Sequence, residues 1–393
     1  MNERVLLGVT GSIAAYKAPL VLRALRGRSF QVQVVLTEAA QRFIGRVTFE
    51  ALTDEGVYDD LWARREALLH ISLLEGTRLV LIAPATADII AKAAHGLADD
   101  LLSSLILAAD PKLLLFAPAM NTGMWRNPAT SKNIATLKGR GAGFVEPGEG
   151  ELACGMVGKG RLAEIEEIVL AAERLVRTHP ILGGKTVVIT CGRTEEELDP
   201  VRVITNRSSG RMGVQIAQAF ARVGAEVTLL AGQVSVPLPC GVQIIRVNSA
   251  AQMLSQLTSL MPSTDVLLMA AAIADYRPQQ TPGYKIKDRE LTLTLSKTSD
   301  ILSAFADSST VRIGFSVETG EDWRAAAVEK LHQKNLDAIV ANPAQAIDSE
   351  KTQAVISYAD GKRVEVPRTS KEELAERLVE VTAELMQRKE SRG

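Results

Sequence analysis

The chain alternates short unbroken apolar runs with longer stretches of helical spacing. Val5 to Val9 is such a run, Thr10-Gly11-Ser12 is a turn, and Ile13 to Arg26 carries apolar residues at helical intervals, so the opening predicts strand, turn and helix. Val32 to Leu36, Leu79 to Ala83 and Leu113 to Ala117 predict further strands, with the alanine-rich stretch Asp88 to Ala109 as a helix between the last two. None of these runs alternates apolar with polar residues, as a strand with one wet face does. Runs dominated by Val, Leu and Ile predict a parallel sheet covered on both faces.

Glu164 to Arg177 predicts an amphipathic helix that stops at Thr178-His179-Pro180-Ile181-Leu182-Gly183-Gly184, where proline and paired glycines break regular structure. The pattern then restarts with a strand at Lys185 to Thr190, a glycine-rich loop, a helix at Met212 to Val223 and a strand at Glu226 to Ala231. The break predicts one domain over residues 1–178 and another over 184–393. Asp265 to Ala274, Val311 to Ser316 and Asp337 to Ala341 predict central strands of the second. Arg277 to Lys297 is rich in Pro, Gly, Gln and Lys and predicts a flap. Gln353 to Val366, centred on Ala359-Asp360-Gly361, predicts a hairpin, and Lys371 to Lys389 a closing helix.

Composition narrows the class. At roughly 150 residues per domain, 393 residues allow two to three domains. With 46% apolar and 23% charged residues, disorder, collagen and coiled coil are disfavoured. Lys plus Arg number 45 against 46 Asp plus Glu, a formal charge of -1, so no whole-molecule field attracts nucleic acid or an anionic membrane. Any anion site must be local. Three scattered cysteines, Cys154, Cys191 and Cys240, argue against a disulfide framework and for a reducing compartment. The apolar run Val266 to Ala274 falls well short of the roughly 18 residues that mark a membrane span. These features predict a cytoplasmic protein with neither nucleic acid nor membrane as partner.

Gly8-x-x-Gly11-Ser12, at a strand-to-helix turn, offers backbone N–H groups, a hydroxyl and the positive end of a helix dipole, which suit a phosphate; a plain tight turn explains it equally well. Ala83-Pro84-Ala85-Thr86 and Ala117-Pro118-Ala119-Met120-Asn121 both follow strands, so their loops should meet at the carboxyl edge of the sheet. His70-Ile71 and Leu152-Ala153-Cys154-Gly155, within the glycine-rich stretch Gly148 to Arg161, complete the set. With Gly96-Leu97-Ala98-Asp99-Asp100-Leu101 and Gly158-Lys159-Gly160-Arg161, these motifs resemble the flavin-dependent cysteine decarboxylases over about the first 175 residues. In particular they resemble the decarboxylase half of the bifunctional phosphopantothenoylcysteine decarboxylase and phosphopantothenate cysteine ligase family of coenzyme A synthesis. That resemblance implies a flavodoxin/Rossmann-like flavoprotein fold holding FMN. The phosphate should lie near Ser12, the ring near Ala85 and Thr86, with Gly11, Ile13 and Thr37 completing the site. It further implies that His70 serves as acid or base beside flavin and substrate, that Asn121 hydrogen-bonds the substrate carboxylate, and that Cys154 donates the proton that completes reduction of the product. A thiol of ordinary pKa near 8.5 is protonated at neutral pH and can do so. On residue type alone Asn121 reads as a turn or helix cap and Cys154 as a small hydrophobe. Asp88 stands where the family usually has Asn, and Met156 where it has Asp.

In the second domain, Asn206-Arg207-Ser208-Ser209-Gly210-Arg211-Met212-Gly213 precedes a helix and reads as an anion nest or as a serine-rich cap. Together with Asp199-Pro200-Val201-Arg202, Ala271 to Tyr276 and Lys285-Ile286-Lys287, it resembles the ligase half of the same family from Gly184 to about Gln387. The resemblance implies a Rossmann-like ligase fold with a flap. Its substrates are 4'-phosphopantothenate, cysteine and CTP, with Mg2+ bridging the phosphates of an acyl-cytidylate reaction. Asn206 would contact the acyl-cytidylate, while Asp275 and the Ala270 and Ala271 backbone contact the nucleotide. Lys285, Lys330 and Lys334 would neutralise phosphate charge, and Ser299, Asp300, Ile301, Leu302 and Phe315 complete the cytidine pocket. Metal ligands are not assigned. Ser299 replaces a common Pro, and Glu195 replaces a basic residue, which leaves Arg193 to substitute.

The resulting expectation is a bifunctional enzyme that ligates and then decarboxylates to give 4'-phosphopantetheine. The resemblance implies a homo-oligomer, with trimeric decarboxylase and dimeric ligase contacts compatible with a dodecamer. A flavin-binding regulatory protein is the alternative; His70, Asn121 and Cys154 together argue against it, since a binder needs no proton donor.

Overall fold

The computed structural model describes residues 3–62, 68–151, 155, 157–306, 309–318, 323–343, 349 and 351–391. It consists of two compact units, Met1–Arg177 and Thr178–Gly393.

In the first unit, β1 (Arg4–Val9), β2 (Gln31–Leu36), β3 (Val57–Tyr58), β4 (Thr77–Ala85), β5 (Leu114–Pro118) and β6 (Gly143–Phe144) form one parallel sheet in the order β3-β2-β1-β4-β5-β6. Alternate residues of each strand face opposite sides. Val5, Leu7 and Val9 pack with Val21, Leu22 and Leu25 of the helix Ala18–Gly27 and with Ile168 and Ala172 of the helix Ile165–Arg177. Leu6, Val80 and Ile82 pack on the other side against helices Ala87–His95 and Leu101–Ala108. Each fully buried Val or Leu contributes about 1.5–3 kcal/mol, so the doubly covered sheet is what the unbroken apolar runs stabilise. The single helix expected over Asp88 to Ala109 is instead two. Gly96 takes a left-handed C-cap at φ 72°, and Asp100 and Ser103 form a capping box that starts the next helix. The helix expected from Ile13 opens as a 3-10 turn, Ile13–Lys17, and Pro19 sits in the first turn of the α-helix, where its missing N–H costs nothing. A hairpin of β7 (Gly148–Glu151) and β8 (Val157–Arg161) follows, its glycines having concealed it from apolar patterning.

The second unit contains β9 (Thr186–Cys191), β10 (Glu195–Glu197), β11 (Val203–Thr205), β12 (Glu226–Ala231), β13 (Gln243–Arg246) and β14 (Val266–Met269). It continues with β15 (Tyr276–Pro278), β16 (Leu295–Lys297), β17 (Val311–Glu318), β18 (Ala338–Pro343), β19 (Lys351–Tyr358) and β20 (Arg363–Ser370). The main sheet runs β13-β12-β9-β14-β17-β18-β19-β20; its first six strands are parallel and its last two form the antiparallel hairpin expected around Gly361. The strand expected over Asp265 to Ala274 ends at Met269. Beyond it the backbone is claimed by the β9 side: Ala271 N–H donates to Thr190 Oγ1 (3.1 Å), Ala272 N–H to Gly192 O (2.8 Å) and Ala274 N–H to Thr194 Oγ1 (2.9 Å). β15 and β16 pair antiparallel and close the base of the expected flap. Among the described residues no helix is long and apolar enough to cross a membrane.

Candidate functional sites

Both sheets place their first and fourth strands side by side with the intervening strands to one side, which opens a crevice at the carboxyl ends of β1 and β4 in one unit and of β9 and β14 in the other. In the first crevice the loops are tied together. Thr10 Oγ1 donates to Pro84 O (2.6 Å) and accepts from Thr86 N–H (3.1 Å), while Ala119 N–H donates to Ala85 O and Met120 N–H to Gly160 O. Gly11 is required here, since a Cβ on it would stand 2.5 Å from Ala39 Cβ. Thr37 and Thr86 each cap the helix that follows, through Ala40 N–H and Ile89 N–H. Beside these loops lies a cleft of ≈ 520 Å³, lined by Ser12, Ile13, Lys17, Asn121, Gly160 and Arg161 among others. Ser12 Oγ accepts from Ala14 N–H and Asn121 Oδ1 from Gly123 N–H (2.7 Å), so both cap short helices, as their residue types also allow. The cleft joins N–H groups and hydroxyls at a strand-to-helix turn to two cations, Lys17 and Arg161, a donor set that fits a flavin phosphate.

His70 lies on the short helix Leu69–Ser72 and is not among the residues lining that cleft. It is half-buried, and its Nδ1 is buried without a hydrogen-bond partner. Cys154 and Met156 lie outside the described residues. Asp88 is exposed in the first turn of its helix, where a carboxylate suits the dipole, and it pairs with Lys92 (3.5 Å).

In the second unit, a cavity of ≈ 450 Å³ brings together Asn206, Ala270, Ala271, Asp275, Phe315 and Lys330 from four separate chain segments. The Asn206 amide donates to Ile273 O (2.8 Å), which fixes the nest against the loop after β14. Gly210, at φ 77°, permits the sharp entry into the helix Arg211–Arg222, and Gly213 lets that helix touch β9. A neighbouring cavity is lined by Arg193, Asn206, Ser208, Ser209 and Arg211; Arg193 donates to Ser208 O (2.9 Å) and lies 3.8 Å from the Glu195 carboxylate. Burial pushes the Cys191 thiol, at the end of β9, up to about 12.

Lys285, Ser299, Asp300, Ile301, Leu302 and Lys334 do not line the cavity. Lys334 Nζ pairs with Asp300 (3.3 Å). Burial raises the Asp300 carboxyl, but hydrogen bonds from Ser303 and the Lys334 charge outweigh it and hold the group below the usual aspartate range. Ile301 is buried in the apolar cluster with Met269 and Leu267, so its side chain belongs to the core. Sequence reasoning missed Lys371, buried at the start of the helix Lys371–Glu390, and Asn342 and Thr352, all of which line the cavity. Lys371 carried a signal: a cation in a helix's first turn opposes the dipole. Among the described residues no group of three or more His, Cys, Asp or Glu is arranged to hold a metal ion.

The family model described as flavoprotein matches residues 1–177, and that described as DNA/pantothenate metabolism flavoprotein C-terminal domain matches residues 182–386. The coenzyme A biosynthesis bifunctional protein CoaBC of Mycobacterium tuberculosis (strain ATCC 25618 / H37Rv) is 41% identical over 400 residues, 96% of each chain. That of Bacillus subtilis (strain 168) is 40% identical over 397 residues, 98% of this chain and 97% of the relative. Among solved structures, the C-terminal domain of a coenzyme A biosynthesis bifunctional protein CoaBC is 32% identical, covering 53% of this chain and 99% of that one, with a TM-score of 0.47. The FMN-binding protein AtHal3 is 34% identical, covering 43% of this chain and 94% of that one, with a TM-score of 0.39. Full-length likeness at this identity, with both family models in the same order, decides the assignment: the chain belongs to the family of bifunctional coenzyme A biosynthesis proteins, a flavoprotein domain followed by a DNA/pantothenate metabolism flavoprotein C-terminal domain.

Proposed function

We propose that residues 184–393 join 4'-phosphopantothenate to cysteine at the expense of CTP, and that residues 1–178 decarboxylate the product to 4'-phosphopantetheine with FMN. The observation that carries the reading is the meeting of Asn206, Ala270, Ala271, Asp275, Phe315 and Lys330 in one cavity at the crevice of the second sheet. In the first step the carboxylate attacks the α-phosphorus of CTP, forming an acyl-cytidylate and releasing pyrophosphate. The cysteine amine then attacks the acyl carbon, loses a proton and displaces CMP. Asn206, held by Ile273 O, orients the acyl-cytidylate; Asp275 and the Ala270–Ala271 backbone hold the nucleotide; Lys330 offsets phosphate charge. Lys285 serves the same end from the flap.

In the first unit Gly11, Ser12, Ile13 and Thr37 hold the phosphate side of FMN, and Ala85 and Thr86 its ring side. Bound there, FMN supplies a reversible two-electron oxidation of the cysteine thiol, which gives the electrons of the departing carboxylate a sink. Asn121 orients the carboxylate, and His70 moves the proton. Cys154 returns a proton to the product. Since His70 does not line the cleft of its own chain, a homo-oligomer that brings a second copy's His70 to the flavin accounts for both positions.

The test supplies the full chain with 4'-phosphopantothenate, cysteine and CTP, and follows pyrophosphate, CO2 and the yellow flavin absorption. Pyrophosphate release dependent on CTP, followed by CO2 in equal amount, is expected; a colourless protein that releases neither refutes the reading. Cutting near Gly183 should leave a yellow, soluble N-terminal piece that decarboxylates supplied phosphopantothenoylcysteine.

A further inference from the structure

Asp199 is a buried carboxylate with its two oxygens committed to different parts of the chain. Oδ1 accepts from Val201 N–H (2.8 Å) and Arg202 N–H (2.9 Å), closing the local turn of Asp199-Pro200-Val201-Arg202. Oδ2 accepts from Ile286 N–H (3.2 Å), 87 residues further on and inside the flap. Arg202 donates to Ile286 O (2.8 Å), so both backbone groups of Ile286 are held by this one turn. The Ile286 side chain is buried, whereas its neighbours Lys285 and Lys287 are exposed. Four residues beyond Arg202, the same segment reaches Asn206 in the cavity.

We propose that Asp199 is a positioning residue, a latch that pins the flap at Ile286 and so fixes Lys285 and Lys287 relative to Asn206. The proposal rests on the ligase reading above and adds to it a residue that touches no substrate. A local turn needs only one carboxylate oxygen; the second accepts from the flap at Ile286 N–H and lies 3.6 Å from Arg202 Nη1, whose guanidinium itself holds Ile286 O, so this side of the carboxylate reads the position of the flap. Burial alone would push the Asp199 carboxyl up; the backbone donors of Val201, Ile286 and Arg202 outweigh it and hold it below the usual aspartate range, so the acceptor stays charged at neutral pH. A charged acceptor makes the stronger hydrogen bond.

Asp199→Asn separates the two functions of the side chain. Its remaining oxygen still closes the turn, but an NH2 group then faces the Ile286 N–H, donor against donor. Ile286→Pro removes the same bond from the flap side and leaves Asp199 untouched. In the full-length chain, trypsin should cut after Lys287 roughly tenfold faster in either variant, because proteolysis follows the population of the released flap. The double variant should be no worse than the singles. The turnover rate of ligation should fall about tenfold, with KM for 4'-phosphopantothenate and the rate of decarboxylation unchanged. Lys285→Gln is the comparison: it should lose ligation while cleavage after Lys287 stays at the parent rate. Unchanged cleavage in both Asp199→Asn and Ile286→Pro overturns the latch. Faster cleavage with undiminished ligation turnover overturns the positioning role, and normal ligation by Lys285→Gln overturns the ligase reading of that lysine while the cleavage assay still decides the latch.

Discussion

Gly213→Ala tests how closely the anion nest of the second unit is fitted to its sheet. Gly213 lies in the helix Arg211–Arg222, directly over β9, and a Cβ there would stand 2.3 Å from Cys191 Cβ and 3.0 Å from both Cys191 Cα and Thr190 O. Ordinary carbon contacts begin near ~3.5 Å, so the new methyl group is short by roughly 1.2 Å. The atoms it meets are backbone or next to it and cannot rotate away. Nor can the helix slide freely, since its own Val214, Ile216, Ala217, Phe220 and Ala221 are buried. Overpacking of this kind costs up to about 3 kcal/mol, and the better helix propensity of alanine returns about 1, leaving a net destabilisation of roughly 2 kcal/mol. For a unit of this length that lowers the melting midpoint by roughly 4–8 °C. Because Asn206 to Gly210 lead straight into this helix, ligation should fall with stability. Decarboxylation should not. Differential scanning calorimetry on the parent, Gly213→Ala and the control Gly283→Ala, whose Cβ would meet nothing within 4 Å, gives the comparison. A second-unit transition that is unmoved or raised in Gly213→Ala refutes the idea that close helix-to-strand contact sets the geometry of the nest.

Three further outcomes are expected. His70→Asn should retain flavin colour yet lose CO2 release by ~10²–10⁴-fold, measured with supplied phosphopantothenoylcysteine, and near-parental turnover refutes its role as acid or base. Lys285→Gln should reduce CTP-dependent pyrophosphate release by about 10²-fold with decarboxylation unaffected, the scale of losing one charge-stabilising donor. Iodoacetamide at pH 8 should label the half-buried Cys240 well before Cys191, because the Cys191 thiol, pushed up to about 12, holds almost no thiolate at that pH while the protein is folded. Mass-spectrometric peptide mapping that finds Cys191 labelled first overturns that assignment.

The largely apolar runs Val5 to Val9, Val32 to Leu36 and Glu226 to Ala231 were legible as strands because a sheet covered on both faces favours apolar residues along its length, and that constraint is written locally. The break at Pro180 and Gly183-Gly184, the hairpin turn at Gly361 and the closing helix behind Ser370 were equally local signals, each carried by residues that fix a backbone angle or a cap. The split of Asp88 to Ala109 was less visible, since it depends on one left-handed glycine within an otherwise helical composition. The strand order decides which loops share a crevice, and long-range hydrogen bonds, such as Thr10 to Thr86 or Thr190 to Ala271, decide where the strands stop. Motif order along the sequence therefore singled out residues for two candidate sites, but which of them meet came from packing. Asn206 and Lys330 share a cavity, whereas Ile301 turns into the core and Lys334 pairs with Asp300. Asp199 shows the same division at a single residue. Its turn with Val201 and Arg202 could be read from an Asp-Pro sequence, but its second oxygen answers to Ile286, a partner 87 residues away that only the folded chain brings within 3.2 Å.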